Sequence, residues 1–171
     1  MTTALQLRSM QPADLPAYKA LRDLMLLRHP EAFTSDAETE TRRDLSYYQS
    51  RLSGGSTLFT LLACDGPALL GALTCEREQR RKVQHTAHLV GMMVLPGQQG
   101  RGVGGLLLDD ALQRLRALPG LALLTLSVTR GNERAVRLYE SRGFERYGRL
   151  PGALRLDDGR ELDKDLMVCR L

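Results

Sequence analysis

A glycine-rich run lies between two apolar stretches near the middle of the chain. Residues Gln99–Gly105 read QGRGVGG, after the apolar residues 89–95 and before a second apolar segment, 106–118. Four glycines in six positions let the backbone approach a bound group closely, and they leave successive N–H groups free at a predicted helix start. Free amides and the helix dipole converge there and bind anions. The run therefore predicts a phosphate-binding loop.

Two familiar phosphate-binding patterns fit this run only in part. A P-loop requires a lysine where the chain has Leu106. The dinucleotide fingerprint Gly-x-Gly-x-x-Gly is formally met by Gly100, Gly102 and Gly105, but the next predicted strand ends in LSVT at 126–129, without the acidic residue that the fingerprint requires. Neither pattern accounts for the loop.

A third pattern, Gln/Arg-x-x-Gly-x-Gly/Ala, is met by Gln99, Gly102 and Gly104. Residues 132–144 read NERAVRLYESRGF, with Asn, Ala, Leu-Tyr and Gly-Phe at the spacing of a second motif. Through these two motifs, which lie within residues 88–144, the chain resembles the GNAT superfamily of acetyl-CoA-dependent N-acetyltransferases. The pair of motifs is specific for that fold and cofactor and says nothing about the acceptor.

Hydrophobic periodicity predicts an α+β fold with a mixed sheet. The predicted helices are 12–28, 38–52, 101–118 and 132–142, and the predicted strands are 5–8, 57–64, 68–77, 85–95 and 121–128, with two further strands at the end of the chain. The resemblance implies a single GNAT-like domain over 1–171. Its mixed, mostly antiparallel sheet has about seven strands, is flanked by about four helices, and splays apart between strands 4 and 5.

Composition excludes several other classes of protein. No apolar run approaches the ~20 residues that span a bilayer, and the N-terminus lacks a signal-peptide pattern. Cys64, Cys75 and Cys169 are odd in number and scattered in apolar contexts, which predicts buried thiols rather than disulfides or a metal site. We therefore expect a cytoplasmic protein with no metal and no membrane partner.

The charge of the chain admits two interpretations. The net charge of +4 is carried by 21 arginines and three lysines, which fits either attraction of a polyanion or an arginine-biased genome. The only dense basic run, REQRRK at 77–82, contains no aromatic residue that could stack on bases. It predicts a solvated turn, and we expect no nucleic-acid partner.

The resemblance implies how acetyl-CoA is held. Backbone amides of the loop would bind the pyrophosphate, and Arg101 would add a charge-assisted contact. The pantetheine arm would lie beside the fourth strand like an added strand, bonded to main-chain groups of Met93 and Val94, one of whose amides would polarise the thioester carbonyl. Asn132 either contacts the cofactor or caps the following helix. The predicted cofactor-binding residues are Met93, Val94, Gln99, Gly100, Arg101, Gly102, Val103, Gly104, Gly105, Asn132, Ala135 and Leu138.

Two side chains are the catalytic candidates. A phenol with a pKa of about 10 stays protonated at neutral pH, so Tyr139, where the resemblance places the tyrosine acid, can protonate a leaving thiolate; alternatively it is a core tyrosine. Several acetyltransferases carry a glutamate eleven residues before the Gln/Arg of the loop motif, where this chain has His88. With a pKa of about 6.5, an imidazole accepts an ammonium proton directly or through water. His85 and water are the alternatives.

The acceptor is the least constrained part of the prediction. Acidic residues between 36 and 44 would attract a cationic amine, but acids at a helix start are favoured by the dipole in any case. The resemblance implies transfer of an acetyl group from acetyl-CoA to a primary amine of a small molecule or a protein, by direct attack on the thioester, and a homodimer as a common assembly. The alternative is a GNAT-like protein that binds acyl-CoA without turnover.

Overall fold

The computed structural model describes residues 5–52 and 54–171. Residues 1–4 of the predicted domain, and Ser53 after the second predicted helix, lie outside the described residues. The strands are β1 (Gln6–Ser9), β2 (Thr57–Asp65), β3 (Ala68–Arg77), β4 (Thr86–Val94), β5 (Leu123–Thr129), β6 (Glu145–Arg155) and β7 (Glu161–Arg170). The helices are α1 (Leu15–Arg28), α2 (Ala37–Thr41), α3 (Val103–Arg116) and α4 (Glu133–Glu140).

The strands form one sheet in the order β1-β2-β3-β4-β5-β7-β6. All neighbours are antiparallel except β4 and β5, which run parallel because α3 crosses over between them. Only residues 86–88 of β4 pair with β5, opposite 123–125, so the two strands separate beyond His88. The predicted fold, a mixed and mostly antiparallel seven-stranded sheet that splays between strands 4 and 5, is confirmed.

Each face of the sheet is covered by helices. On one face α3 buries an apolar stripe at helical spacing, each member at most 3% exposed: Leu107, Leu108, Ala111, Leu112 and Leu115. On the other face α1 buries Tyr18, Leu21 and Met25 against β2, β3 and Tyr48. The two cores hold β4 from both sides up to the point where it leaves β5.

The predicted helix 38–52 is wrong in its extent. The structure has the five-residue helix α2 and then a separate 3-10 segment, Leu45–Arg51. Asp36 caps α2 by accepting the Thr39 amide, and Asp44 caps the 3-10 segment by accepting the amides of Ser46 and Tyr47. A second cap requires an extended backbone at Asp44, which interrupts the helix. In addition, residues 12–14 of the first predicted helix form a 3-10 turn.

The three cysteines are free and buried, as predicted. Burial raises the pKa of the Cys75 thiol to about 12. Among the described residues, no helix is long and apolar enough to cross a bilayer.

A buried ion pair joins α1 to α2. The Arg22 Nε donates to Glu40 Oε2 at 2.8 Å, and the Tyr48 hydroxyl donates to the same oxygen at 2.8 Å. Glu40 is 3% exposed. Burial by itself would raise the pKa of Glu40, but the hydrogen bonds from Arg22 and Tyr48 outweigh it and hold the pKa below its ordinary value. The carboxylate is thus charged and ties the segment before β2 to α1.

Replacing Glu40 with alanine is expected to lower the free energy of unfolding by about 3–5 kcal/mol, because Arg22 is left as an uncompensated buried charge. The matched control is Glu38→Ala in the same helix, which breaks an exposed pair with Arg42 and is expected to cost less than about 1 kcal/mol. Because the pKa of Glu40 is lowered on folding, its contribution is present above the ordinary glutamate pKa and is lost as the pH falls through the folded value. Urea denaturation from pH 3 to 7 measures both effects, and equal costs for the two variants would contradict this assignment.

Candidate active site

The separation of β4 from β5 opens a cavity of about 1160 Å³. Its walls are the glycine-rich loop, the facing edges of β4 and β5, one side of α4, the segment after α1 and the inner face of β7. The volume exceeds the roughly 300–1,000 Å³ of pockets for drug-sized ligands. The cavity therefore has room for a long ligand together with a second, smaller molecule.

The glycines of the loop serve two different purposes. Gly100 and Gly102 both have a φ of 84°, in the left-handed region, and Gly102 is the N-cap of α3. A Cβ on Gly104 would lie 2.7 Å from the Met92 Cε, and one on Gly105 would lie 2.7 Å from an Arg142 nitrogen. The first two glycines shape the turn, and the last two let α3 approach its neighbours.

The loop presents unsatisfied donors to the cavity. Within the described part of the chain, the amides of Gln99–Gly105 find no hydrogen-bond acceptor. A Cβ on Gly102 would have no atom within 4 Å, so the space beside this amide is open. Free amides at the start of a 14-residue helix, beside open space, can bind an anion.

Side chains around the loop add charge. Arg101 is turned to Gln98, whose Oε1 accepts from Arg101 Nη1 at 2.7 Å. Gln99 accepts from Arg134 Nη1 at 3.3 Å and donates to the Val94 carbonyl at 3.4 Å. Arg134 lines the cavity from the first turn of α4. It was missed from the sequence, although its place two residues after Asn132 in the second motif was a usable signal.

The open edge of β4 exposes main-chain groups. The Leu95 amide donates to Leu70 of β3 at 2.7 Å, and Met93 is paired with Ala72 of β3. In an antiparallel ladder, every second residue directs its main-chain groups to the same neighbouring strand. Met93, two residues before Leu95, therefore also bonds to β3, whereas the main-chain groups of Met92 and Val94 face the gap toward β5. The structure thus places the predicted Met93 outside the cavity lining, with its side chain in the α1 core, and puts Val94 and the unpredicted Met92 in that lining.

Tyr139 lies between the core and the cavity. The residue is 7% exposed, and its ring packs against Phe144 with centroids 5.6 Å apart. Its hydroxyl approaches the Met92 sulfur at 3.8 Å. Burial raises the pKa of Tyr139 to about 12. This phenol is therefore neutral, and able to donate a proton, at any physiological pH.

The other predicted residues of α4 lie beside Tyr139. Ala135 and Leu138 line the cavity, as does Asn132. The Asn132 Oδ1 accepts the Ala135 amide at 3.2 Å, so its carbonyl caps α4 and its side-chain amide is left for other contacts.

His88 lies at the point where β4 leaves β5. Its Nδ1 is 2.6 Å from the Thr125 hydroxyl, and its Nε2 is 3.3 Å from Glu78 Oε1. Both His88 and Thr125 line the cavity, whereas His85 is exposed elsewhere. Glu78 and Thr125 were missed from the sequence, because nothing in their local patterns distinguishes them from other residues of a loop and a strand.

The split sheet, the donor-rich loop and the cavity between them are the features that the resemblance implied for an acyltransferase. A comparison with known families identifies the family of acyltransferases. Residues 18–144 match the model of the acetyltransferase (GNAT) family. The chain belongs to this family and is an acetyltransferase by fold and sequence.

Solved structures agree over nearly the full length. The chain is similar to a GCN5-related N-acetyltransferase from Kribbella flavida, with 25% identity, 98% of each chain covered and a TM-score of 0.83. It is similar to a GNAT-family acetyltransferase from Streptococcus pneumoniae, with 25% identity, 98% of this chain and 100% of that chain covered, and a TM-score of 0.80. It shares the fold of YncA from Salmonella typhimurium, solved with its cofactor acetyl-CoA, at 22% identity, 98% and 94% coverage and a TM-score of 0.81. Among curated proteins, no match to the chain was found.

Proposed function

We propose that residues 1–171 act as one domain that transfers the acetyl group of acetyl-CoA to a primary amine by direct attack on the thioester. The observation that carries this proposal is that one cavity joins the free amides of the loop, the open edge of β4 and Tyr139. The residues fit the cofactor, because the space beside Gly102 is empty and the donors around it have no competing acceptor in the described chain. The binding of acetyl-CoA by YncA, which has this fold, supports the choice of donor.

The glycine-rich loop holds the pyrophosphate end of acetyl-CoA. The amides of residues 99–105 donate to the pyrophosphate oxygens, and the dipole of α3 adds a favourable field. Arg134 already lies against the loop, within 3.6 Å of where a Gly100 Cβ would be, and supplies a positive charge there. Arg101 contributes only after leaving Gln98.

The open edge of β4 holds the arm and the thioester. The main-chain groups of Met92 and Val94 face the gap, so an extended arm can bond to them as an added strand would. Before the arm can bond to the Val94 carbonyl, the Gln99 side chain must release that carbonyl. An amide on this edge aimed at the thioester carbonyl stabilises the negative charge that develops on its oxygen during attack.

Each proton that moves in the reaction has a donor and an acceptor. The neutral amine nitrogen forms a bond to the carbonyl carbon, the carbon–sulfur bond breaks, and Tyr139 donates its proton to the departing thiolate. The new amide nitrogen releases its second proton to solvent, and the Tyr139 phenolate takes up a proton from solvent in turn. The amine must first lose a proton if it arrives as an ammonium. His88 accepts that proton through Thr125 and water, since its Nδ1 already contacts the Thr125 hydroxyl, and Glu78 stabilises the resulting imidazolium at Nε2.

Replacing His88 with alanine is expected to lower kcat/KM about 100-fold at pH 7, a typical contribution of a general base. The loss should shrink as the pH rises through the pKa of the acceptor amine, because the substrate then arrives deprotonated. His85→Ala, which removes an exposed imidazole outside the cavity, is the control and should leave the rate unchanged. A loss that stays constant across pH 6–10 would remove His88 as the base.

Calorimetry with acetyl-CoA tests the proposal directly, with NAD and ATP as controls. Micromolar binding of acetyl-CoA alone is expected, followed by release of free CoA thiol in the presence of amines. Binding of NAD instead would refute the donor. Binding of acetyl-CoA without thiol release for any amine in a panel of amino acids, polyamines and peptides would favour the acyl-CoA-binding alternative.

A further inference from the structure

Lys164 is an uncompensated cation on the inner face of β7. It lines the cavity with its neighbours Leu162 and Leu166, which flank it on the same side of the strand. Its Nζ donates to the Thr34 hydroxyl at 2.8 Å. Within the described residues no carboxylate lies within 4 Å of that ammonium, and burial lowers the pKa of Lys164.

The other basic side chains at this side of the cavity each have a carboxylate partner. The pairs are Arg130 with Asp163 at 3.9 Å, Arg160 with Asp158 at 2.7 Å, and His29 with Glu31 at 3.6 Å. The carboxylates nearest to Lys164 in sequence are also occupied: Asp163 accepts the Gly152 amide at 3.0 Å, and the buried Asp165 is bound by Arg146 and Arg149. In the part of the chain that the structure describes, Lys164 therefore has only the Thr34 hydroxyl to offset the cost of its partly buried charge.

Lys164 contacts Thr34, in the segment that packs on the α1 side of the sheet, whereas the glycine-rich loop leads into α3 on the opposite side. Lys164 faces Thr129 in the β5–β7 ladder, four residues beyond Thr125, which is the last residue of β5 that pairs with β4. At about 3.3 Å per residue, this places Lys164 roughly 13 Å along the opened strand from the His88–Thr125 contact. The lysine thus borders the widened part of the gap, together with the segment after α1.

We propose that Lys164 binds a carboxylate of the acceptor, so that the substrate is an amine that also carries a carboxylate, as an amino acid does. This inference rests on the proposed acetyl transfer. A carboxylate would replace the missing counter-ion through a charge-assisted hydrogen bond, while the amine of the same molecule extends toward Tyr139 and the open edge of β4. Thr34, which already accepts from the ammonium, fixes the lysine in the cavity before the substrate arrives.

The small number of lysines makes the first test selective. The chain has only Lys19, Lys82 and Lys164, so protein labelled with ¹³C at lysine Cε gives three signals, and Lys164→Met assigns one of them. The probes are N-acetylglycine, N-acetyl-β-alanine and 4-acetamidobutyrate, added in the presence of CoA. The control for each is the compound in which a primary amide replaces the carboxylate. We expect at least one carboxylate to shift the Lys164 signal and raise the pKa of Lys164, without effect from its amide.

The same titration can overturn the proposal. If no carboxylate moves the Lys164 signal at 50 mM, or if the amides move it equally, Lys164 does not bind this group. A response to N-acetylated aminomethylphosphonate alone would reassign the site to a different anion. Because these probes bind without turnover, the result stands whether or not acetyl transfer is detected.

Kinetics provide the second test. For an amino acid acceptor, Lys164→Met should raise KM about tenfold or more, as expected for loss of a charge-assisted hydrogen bond, and leave kcat within a few-fold. The corresponding amino acid amide should show the same KM with both enzymes, and the Kd for acetyl-CoA should not change. Lys82→Met, in the turn before β4, is the matched control. A fall in kcat at unchanged KM, or weaker binding of acetyl-CoA, would refute the assignment.

Discussion

Replacing Gly102 with valine is expected to abolish measurable acetyl-CoA binding, a loss of at least about 100-fold, or 2.7 kcal/mol. The side chain would point into the empty space beside the loop amides, where no protein atom lies within 4 Å, and would occupy the volume that the pyrophosphate needs. Calorimetry with acetyl-CoA measures the effect. Binding equal to that of the wild type would show that the phosphate does not lie against this turn.

A matched variant separates loss of the site from backbone strain. Gly102 has a φ of 84°, which valine adopts only at a cost of about 1–2 kcal/mol. Gly159, in the turn between β6 and β7, has a φ of 83° and equally open surroundings. Gly159→Val should therefore lose similar stability in urea while it binds acetyl-CoA normally. If both variants lose binding together, strain rather than the site would explain the result.

Gly105 offers a contrasting test of the packing role. A Cβ there meets an arginine side chain, whose end can move, instead of the cavity. Gly105→Ala should thus keep most of its affinity for acetyl-CoA.

Tyr139→Phe is expected to lower kcat by about 100-fold, equivalent to about 2.7 kcal/mol of activation free energy. The lost group is the proposed acid for the leaving thiolate, so the Kd for acetyl-CoA should be unchanged. Since burial raises the pKa of Tyr139 to about 12, the wild-type phenol stays protonated from pH 6 to 9. The ratio of wild-type to mutant kcat should then be constant over that range, unlike the loss expected for His88→Ala.

Stability is the control for this variant. Among the described residues, the Met92 sulfur, at 3.8 Å, is the only hydrogen-bond partner of the Tyr139 hydroxyl, so its removal should change the free energy of unfolding by less than about 0.5 kcal/mol. Tyr47→Phe, which removes a hydroxyl from an exposed ring outside the cavity, should leave kcat unchanged. Full activity of Tyr139→Phe would assign this tyrosine to the core alone.

Features that depend on local chemistry were predictable from the sequence. The residues of the glycine turn at 99–105 are close together in the sequence, and so are those of the apolar stripe of α3. Their spacing therefore sets their geometry directly. The same holds for Asn132, which caps α4 at the predicted point. The exception is the segment 38–52, where the Asp44 cap prevailed over the helical pattern because capping satisfies amides that would otherwise be left unpaired.

Features that depend on how distant parts of the chain pack together were not predictable from the sequence. Whether Met92 or Met93 faces the gap depends on the parity of the β3–β4 ladder, which no local pattern reports. Glu78 reaches His88 only through the register of β3 and β4, and Arg134 reaches Gln99 only because α4 packs beside the loop. Each contact joins residues on different elements, so it exists only once the sheet has formed.

The family, the glycine-rich turn and the position of Tyr139 in its motif could be read from the sequence, because they depend on residue type and short-range spacing. Which main-chain groups border the gap, how His88 is held, and which side chains line the cavity depend on how the strands pair and pack. Lys164 and Thr34 are 130 positions apart and belong to no shared motif. They meet because β7 pairs with β5 beside the separated strands, and register, not composition, decides which side chain of β7 points into the cavity.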